Sequence, residues 1–132
     1  MVSDTQRCSV QNVGLVMLGV RDLERSIPFY RDSLGLKLQS QGGGFAFFDG
    51  GGVTLALSQE LGRARDYKTG AVEVVFSVAD VRTAHEALTG RGVNFQRPPR
   101  VVTGQQWSAN FTDPDGHELS IFGPSSTPSP GQ

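Results

Sequence analysis

The sequence predicts an α+β domain made of two βαβββ modules, and three observations carry that expectation. A strand-like run, an aspartate, a helical stretch and a glycine stop occur twice: residues 13–20, Asp22 and Gly35, then residues 72–78, Asp80 and Gly92. A shift of 58 positions lays Asp22 on Asp80, Leu23 on Val81 and Tyr30 on Leu88. The 17 glycines, with clusters at 42–44 and 50–52, suit short strands joined by tight turns. The 132 residues are enough for one domain with a core of its own and few for two.

The elements follow in order. Residues 13–20 alternate little between apolar and polar, which predicts a strand covered on both faces. Asp22 is a good N-cap for a helix over 23–34, with Leu23, Ile27, Tyr30 and Leu34 at helical spacing on its buried face. Pro28 inside it removes a hydrogen bond to Glu24 and bends the axis. Gly35 ends the helix, and strands follow near 36–41, 45–49 and 53–58. Residues 60–70 are charged and polar and read as a linker, either a solvated loop or a short helical turn. The second module gives a strand at 72–78, a helix at 81–90 capped by Asp80, and strands near 93–96, 106–112 and 117–122. Asp113-Pro114-Asp115-Gly116 is a tight turn, with proline presetting φ. The expected organisation is a flexible segment 1–11, one domain over 12–123 with modules 12–59 and 71–123, and a disordered tail 124–132.

Composition narrows the function. Twelve basic residues against thirteen acidic ones give a formal charge of −1, with no basic excess to neutralise phosphates, so nucleic acid is not an expected partner. A single cysteine, Cys8, cannot form an internal disulfide and suits a reducing compartment. Residues 1–10 lack an apolar signal core and no apolar run is long enough to span a bilayer, so the expectation is a cytoplasmic protein with no membrane partner.

Three motifs, in order along residues 12–123, resemble the vicinal oxygen chelate superfamily, which includes lactoylglutathione lyase, extradiol dioxygenases, fosfomycin-modifying transferases, methylmalonyl-CoA epimerase and bleomycin resistance proteins. They are Asp22-Leu23-Glu24-Arg25-Ser26 with Phe29-Tyr30-Arg31-Asp32 and Leu34-Gly35-Leu36; Phe47-Phe48-Asp49-Gly50-Gly51-Gly52-Val53 with Leu55 and Leu57-Ser58; and Phe111-Thr112-Asp113-Pro114-Asp115-Gly116-His117 with Leu119. The resemblance implies a U-shaped half-open barrel of mixed sheets and a homodimer. It also implies four metal-ligand positions, which fall here on Leu15, Glu73, Leu55 and Ser120. One carboxylate and one hydroxyl are too few donors for a divalent ion, so no metal and no cofactor are expected. His85 and His117, the only histidines, fall outside those positions.

The remaining candidates come from the residues themselves. Glu73 stands in an apolar strand, where a side chain pointing into a cleft would be a general base or an anchor for a cationic group, and one pointing outward an ordinary solvated carboxylate. Alternation puts Phe45 and Phe47 on one face, and Trp107 and Phe111 on one face. Either these faces, with Phe122 among the strand aromatics, line an apolar pocket in which Trp107 is a stacking surface, or they pack beneath the helices. Gln105, Gln106 and Trp107 are candidate selectivity residues, and residues 97–100 a mobile rim. The expected ligand site is Leu15, Phe45, Phe47, Leu55, Trp107, Phe111, Ser120 and Phe122, with Glu73 as the catalytic candidate. The function expected is metal-independent binding of a small hydrophobic or aromatic molecule, as in sequestration of a drug or natural product. The alternative is a lyase, isomerase or epimerase of the same superfamily with Glu73 as base.

Overall fold

A computed structural model describes residues 13–64 and 72–126. Strand β1 (Leu15–Gly19) leads through the Asp22 cap, whose Oδ1 accepts from the Glu24 amide at 3.0 Å, into α1 (Leu23–Pro28). Pro28 has no N–H to donate, and the chain continues from it as a wider π-helical turn, Phe29–Ser33, closed by Leu34 N on Phe29 O at 3.0 Å. The long helix expected over 23–34 is therefore two pieces. Gly35, at φ 83°, then reverses the chain into β2 (Lys37–Gly42), β3 (Phe45–Asp49) and β4 (Thr54–Ser58). A short helix, α2 (Gln59–Ala64), takes the helical option for the start of the expected linker.

The second module repeats the plan. After β5 (Glu73–Ser77), Asp80 Oδ1 accepts from Thr83 N at 3.0 Å and opens α3 (Val81–Gly90); β6 (Phe95–Thr103), β7 (Gln106–Thr112) and β8 (Glu118–Pro124) complete it. Strand β6 is longer than expected. Arg97, Pro98, Pro99 and Arg100, read as a rim, lie within it, and pairing to β7 accommodates both prolines through register shifts. The sequence puts the end of the domain at 123, but β8 runs to Pro124, and Ser125 and Ser126 bind Asp80. The expected N-terminal segment, Cys8 and the end of the tail lie outside the described residues.

Each module forms a four-stranded mixed sheet, ordered β1-β4-β3-β2 and β5-β8-β7-β6, with β1 parallel to β4 and β5 parallel to β8. This is the α+β pair of βαβββ modules that the repeat predicts. One face of each sheet carries the core: Leu18, Leu55, Leu57 and Phe48 in the first, Ala109, Phe111, Leu119 and Ile121 in the second. The first helical segment is wedged between them. Tyr30 packs on Phe48 of its own module, with ring centres 5.8 Å apart, and its neighbour Phe29 packs on Phe111 of the other, at 6.5 Å. The helix-covered faces thus share one core within the chain, and the opposite faces point outward. Leu15 and Met17, expected in a strand covered on both sides, are 45% and 37% exposed for that reason.

Candidate functional site

The two open faces follow from strand register. Leu15 pairs with Thr54 and Met17 with Ala56, while Phe47 pairs with Ala56 and Phe45 with Ser58, so these residues share the open face of the first sheet. Phe45 and Phe47 stack there, 6.1 Å between centres and nearly parallel, as alternation predicts. In the second sheet Glu73 pairs with Glu118, Val75 with Ser120 and Ser77 with Phe122; Asn110 and Ser108 on β7 pair with Ser120 and Phe122. These residues form its open face.

Three of the residues expected to line the ligand site are elsewhere. Leu55 is one residue out of phase: it is buried on the helix side, and Thr54 and Ala56 occupy the open face. Phe111 is fully buried between Phe29 and Phe95. Trp107 lies on the same side as Phe111, with the Arg82 guanidinium of α3 5.8 Å from its ring centre. Leu15, Phe45, Phe47, Ser120 and Phe122 lie on open faces. His85, on α3, packs edge-on against Phe95 with ring centres 4.5 Å apart. His117 is half-buried, with Nε2 2.6 Å from Gly19 O of the first module.

Glu73 is the centre of a polar cluster that its sequence context does not reveal. Its Oε1 accepts from Asn110 Nδ2 at 2.8 Å and its Oε2 from Ser120 Oγ at 3.3 Å. The two donors come from different strands, β7 and β8, so the carboxylate is held across the sheet. The other end of the Asn110 amide, Oδ1, is buried and finds no hydrogen-bond partner among the described residues. Glu118 stands beside Glu73 in the parallel pairing, giving two carboxylates at one end of the face. Asn110 and Glu118 were missed by the sequence reading. Counting back by twos from Ser120 reaches Glu118, but only the β5–β8 pairing brings it to Glu73.

The donor chemistry decides the fit to a metal. Of the four positions that the family resemblance marks, Leu15 and Leu55 offer no donor, Ser120 a hydroxyl already given to Glu73, and Glu73 a single carboxylate. Moving from Leu55 to its open-face neighbours adds at most the Thr54 hydroxyl. Among the described residues no three His, Cys, Asp or Glu side chains converge. Such a set does not supply the imidazole and carboxylate ligands that a divalent transition metal requires.

Comparison with known proteins sets this site in a family. The chain is 33% identical over 124 residues to metallothiol transferase FosB of Lysinibacillus sphaericus, covering 86% of this chain and 82% of the relative. It is 28% identical over 118 residues to glutathione transferase FosA of Serratia marcescens, covering 85% and 80%. A crystal structure of a glyoxalase/bleomycin resistance protein/dioxygenase from Nocardioides superposes with a TM-score of 0.74 at 31% identity, covering 94% of this chain and 90% of that one. The model of the Glyoxalase/Bleomycin resistance protein/Dioxygenase superfamily matches residues 12–121, and the chain belongs to that superfamily.

Proposed function

We propose that this protein binds a small apolar organic molecule bearing an amine or other hydrogen-bond donor, without a divalent metal, between the open sheet faces of two copies. The observation that carries the reading is the make-up of those faces. Leu15, Met17, Phe45 and Phe47 offer apolar and aromatic surface on one sheet. On the other, Glu73 is anchored by Asn110 and Ser120 with Val75 and Phe122 alongside. An apolar wall facing one fixed carboxylate is the usual composition of a small-molecule site, where a few polar groups orient a ligand that apolar contacts hold. The open faces point away from each other in one chain, so a closed cleft requires a partner. Val75, 51% exposed, adds to the apolar surface of Leu15 and Met17 that a second copy would cover.

The named relatives are thiol transferases, and the FosB name specifies a metal. The donor set here does not support that chemistry. The second reading, an isomerase or lyase with Glu73 as base, draws on the same hydrogen bonds, because Asn110 and Ser120 hold the carboxylate in one orientation. Calorimetric titration with a panel of amine-bearing aromatic natural products, with EDTA and then with Mn²⁺ or Zn²⁺, tests the proposal. Binding that survives EDTA and weakens in Glu73→Gln supports it. Stoichiometric metal in the purified protein, or binding that needs the ion, refutes it. Turnover lost in Glu73→Gln with affinity kept selects the enzyme.

A further inference from the structure

A second cavity lies on the opposite side of the molecule, where the two modules meet behind the sheets. It encloses about 290 Å³ and is walled by Leu34 and Leu36 of the first module and Phe76, Leu88, Phe111 and Ile121 of the second. That volume is at the lower end of small-ligand pockets, about 300–1,000 Å³. The sequence repeat explains why the space is there. The 58-residue shift lays Ser26 on Ala84 and Phe29 on Ala87. Phe29 of the first module packs on Phe111; at the matching position of the second module stands Ala87, and it and Ala84 leave space beside Phe111 and Ile121.

Among the described residues one charged side chain, Arg91, lines this space, whose other lining residues are apolar except Ser77. Its guanidinium makes a long hydrogen bond, Nη1 to Ser33 O at 3.3 Å, across the module boundary. The carbonyls at the end of α3 do not claim it: Leu88 O accepts from the amides of Arg91 and Val93, and Thr89 O from that of Gly92. Among the described residues the lining contains no acidic side chain.

We infer that this inter-module cavity is a binding site for a small monocarboxylate with an apolar tail, the tail filling the space left by Ala84 and Ala87 and the carboxylate pairing with Arg91. A planar guanidinium matches a carboxylate with two parallel hydrogen bonds, a stronger interaction than its present single contact with a neutral carbonyl. A ligand there touches both modules and stiffens their junction, so binding raises the melting temperature. This site is separate from the open faces, and its test is independent of the reading given to them.

Decanoate is a suitable probe, with decanol as its uncharged counterpart, each titrated below micelle-forming concentrations and followed by amide chemical shifts and calorimetry. Saturable decanoate binding is expected, with the largest shifts at Leu36, Ala84 and Leu88. Arg91→Met should weaken decanoate at least about tenfold while leaving decanol little changed. Ala87→Phe, which restores the counterpart of Phe29, should abolish binding of both with the fold intact. The inference fails if no saturable binding occurs, if the shifts are confined to Met17, Val75 and their open-face neighbours, or if Arg91→Met binds decanoate as well as the parent. Arg91 is exposed and its replacement does not disturb the core, so the result stands even where Ala87→Phe folds poorly.

Discussion

Tyr30 donates its phenolic hydrogen to Asp113 Oδ2 at 2.7 Å, joining buried residues 83 positions apart and in different modules. The other carboxylate oxygen, Oδ1, accepts from the amides of Asp115 and His117 and so shapes the turn that Tyr30 touches. Asp115 extends the joint: it accepts from the Arg21 amide at 2.9 Å and Ser26 Oγ at 3.2 Å, with the Arg25 guanidinium at 3.5 Å. The tight turn expected from Asp113-Pro114-Asp115-Gly116 is therefore also the polar clasp between modules.

Tyr30→Phe keeps the ring and removes only the donor. The buried carboxylate then loses one of its partners, which costs about 1–3 kcal/mol. Urea denaturation of Tyr30→Phe, Asp113→Asn and the double variant measures the coupling between them. Strictly additive effects would show that the contact contributes nothing of its own.

Local signals in the sequence resolved the elements, while the facing of side chains depended on partners that the sequence does not display. Asp22 and Asp80 cap as expected because an N-cap is decided within three residues, and Gly35 and Gly92 stop their helices at φ 83° and 93° for equally local reasons. Alternation correctly put Phe45 with Phe47 and Trp107 with Phe111. It did not say which pair faces outward, because that parity is fixed by where the helices pack. Hence Trp107 lies under Arg82, and its fluorescence reports on the helix side of the sheet rather than on the open face. Leu55 shows the same limit: an offset of one residue separates it from Ala56 and inverts its side.

The short helix α2 holds a second feature hidden in a stretch that reads as linker. A Cβ on Gly62 would come within 2.3 Å of Val20 O, and one on Gly19 within 2.8 Å of Gly62 N. Both obstacles are backbone, so neither can rotate aside. Gly62→Ala should push α2 off β1 and destabilise the protein by about 1–3 kcal/mol, read as a lower urea midpoint. An unchanged midpoint would mean that α2 detaches at no cost.

The open apolar faces give a prediction about assembly. Met17→Asp places a charge in the middle of the surface formed by Leu15, Met17 and Phe47 without touching the core. Light scattering coupled to size exclusion should find the parent as a dimer and Met17→Asp as a monomer, with circular dichroism unchanged. A parent that remains monomeric at high concentration would remove the second copy from the proposed cleft.

Asp80 supplies the clearest pH dependence. Its carboxyl is held well below the usual aspartate range, first by the Thr83 amide, then by the Ser126 amide, with further help from the Ser125 and Ser126 hydroxyls. A group whose folded pKa is depressed adds stability that is fully present above its unfolded value, about 3.9, and is lost as pH falls through the folded value below it. Unfolding titrations from neutral pH into acid should therefore show Asp80→Asn less stable than the parent above about pH 4. The gap should narrow steadily as the medium becomes more acid, because protonation removes from the parent what the substitution has already removed. Ser125 and Ser126, which follow β8, should loosen over the same range, since both hold the ionised carboxylate. A gap of constant size down to strong acid would mean that the hydrogen bonds at Asp80 do not depend on its charge.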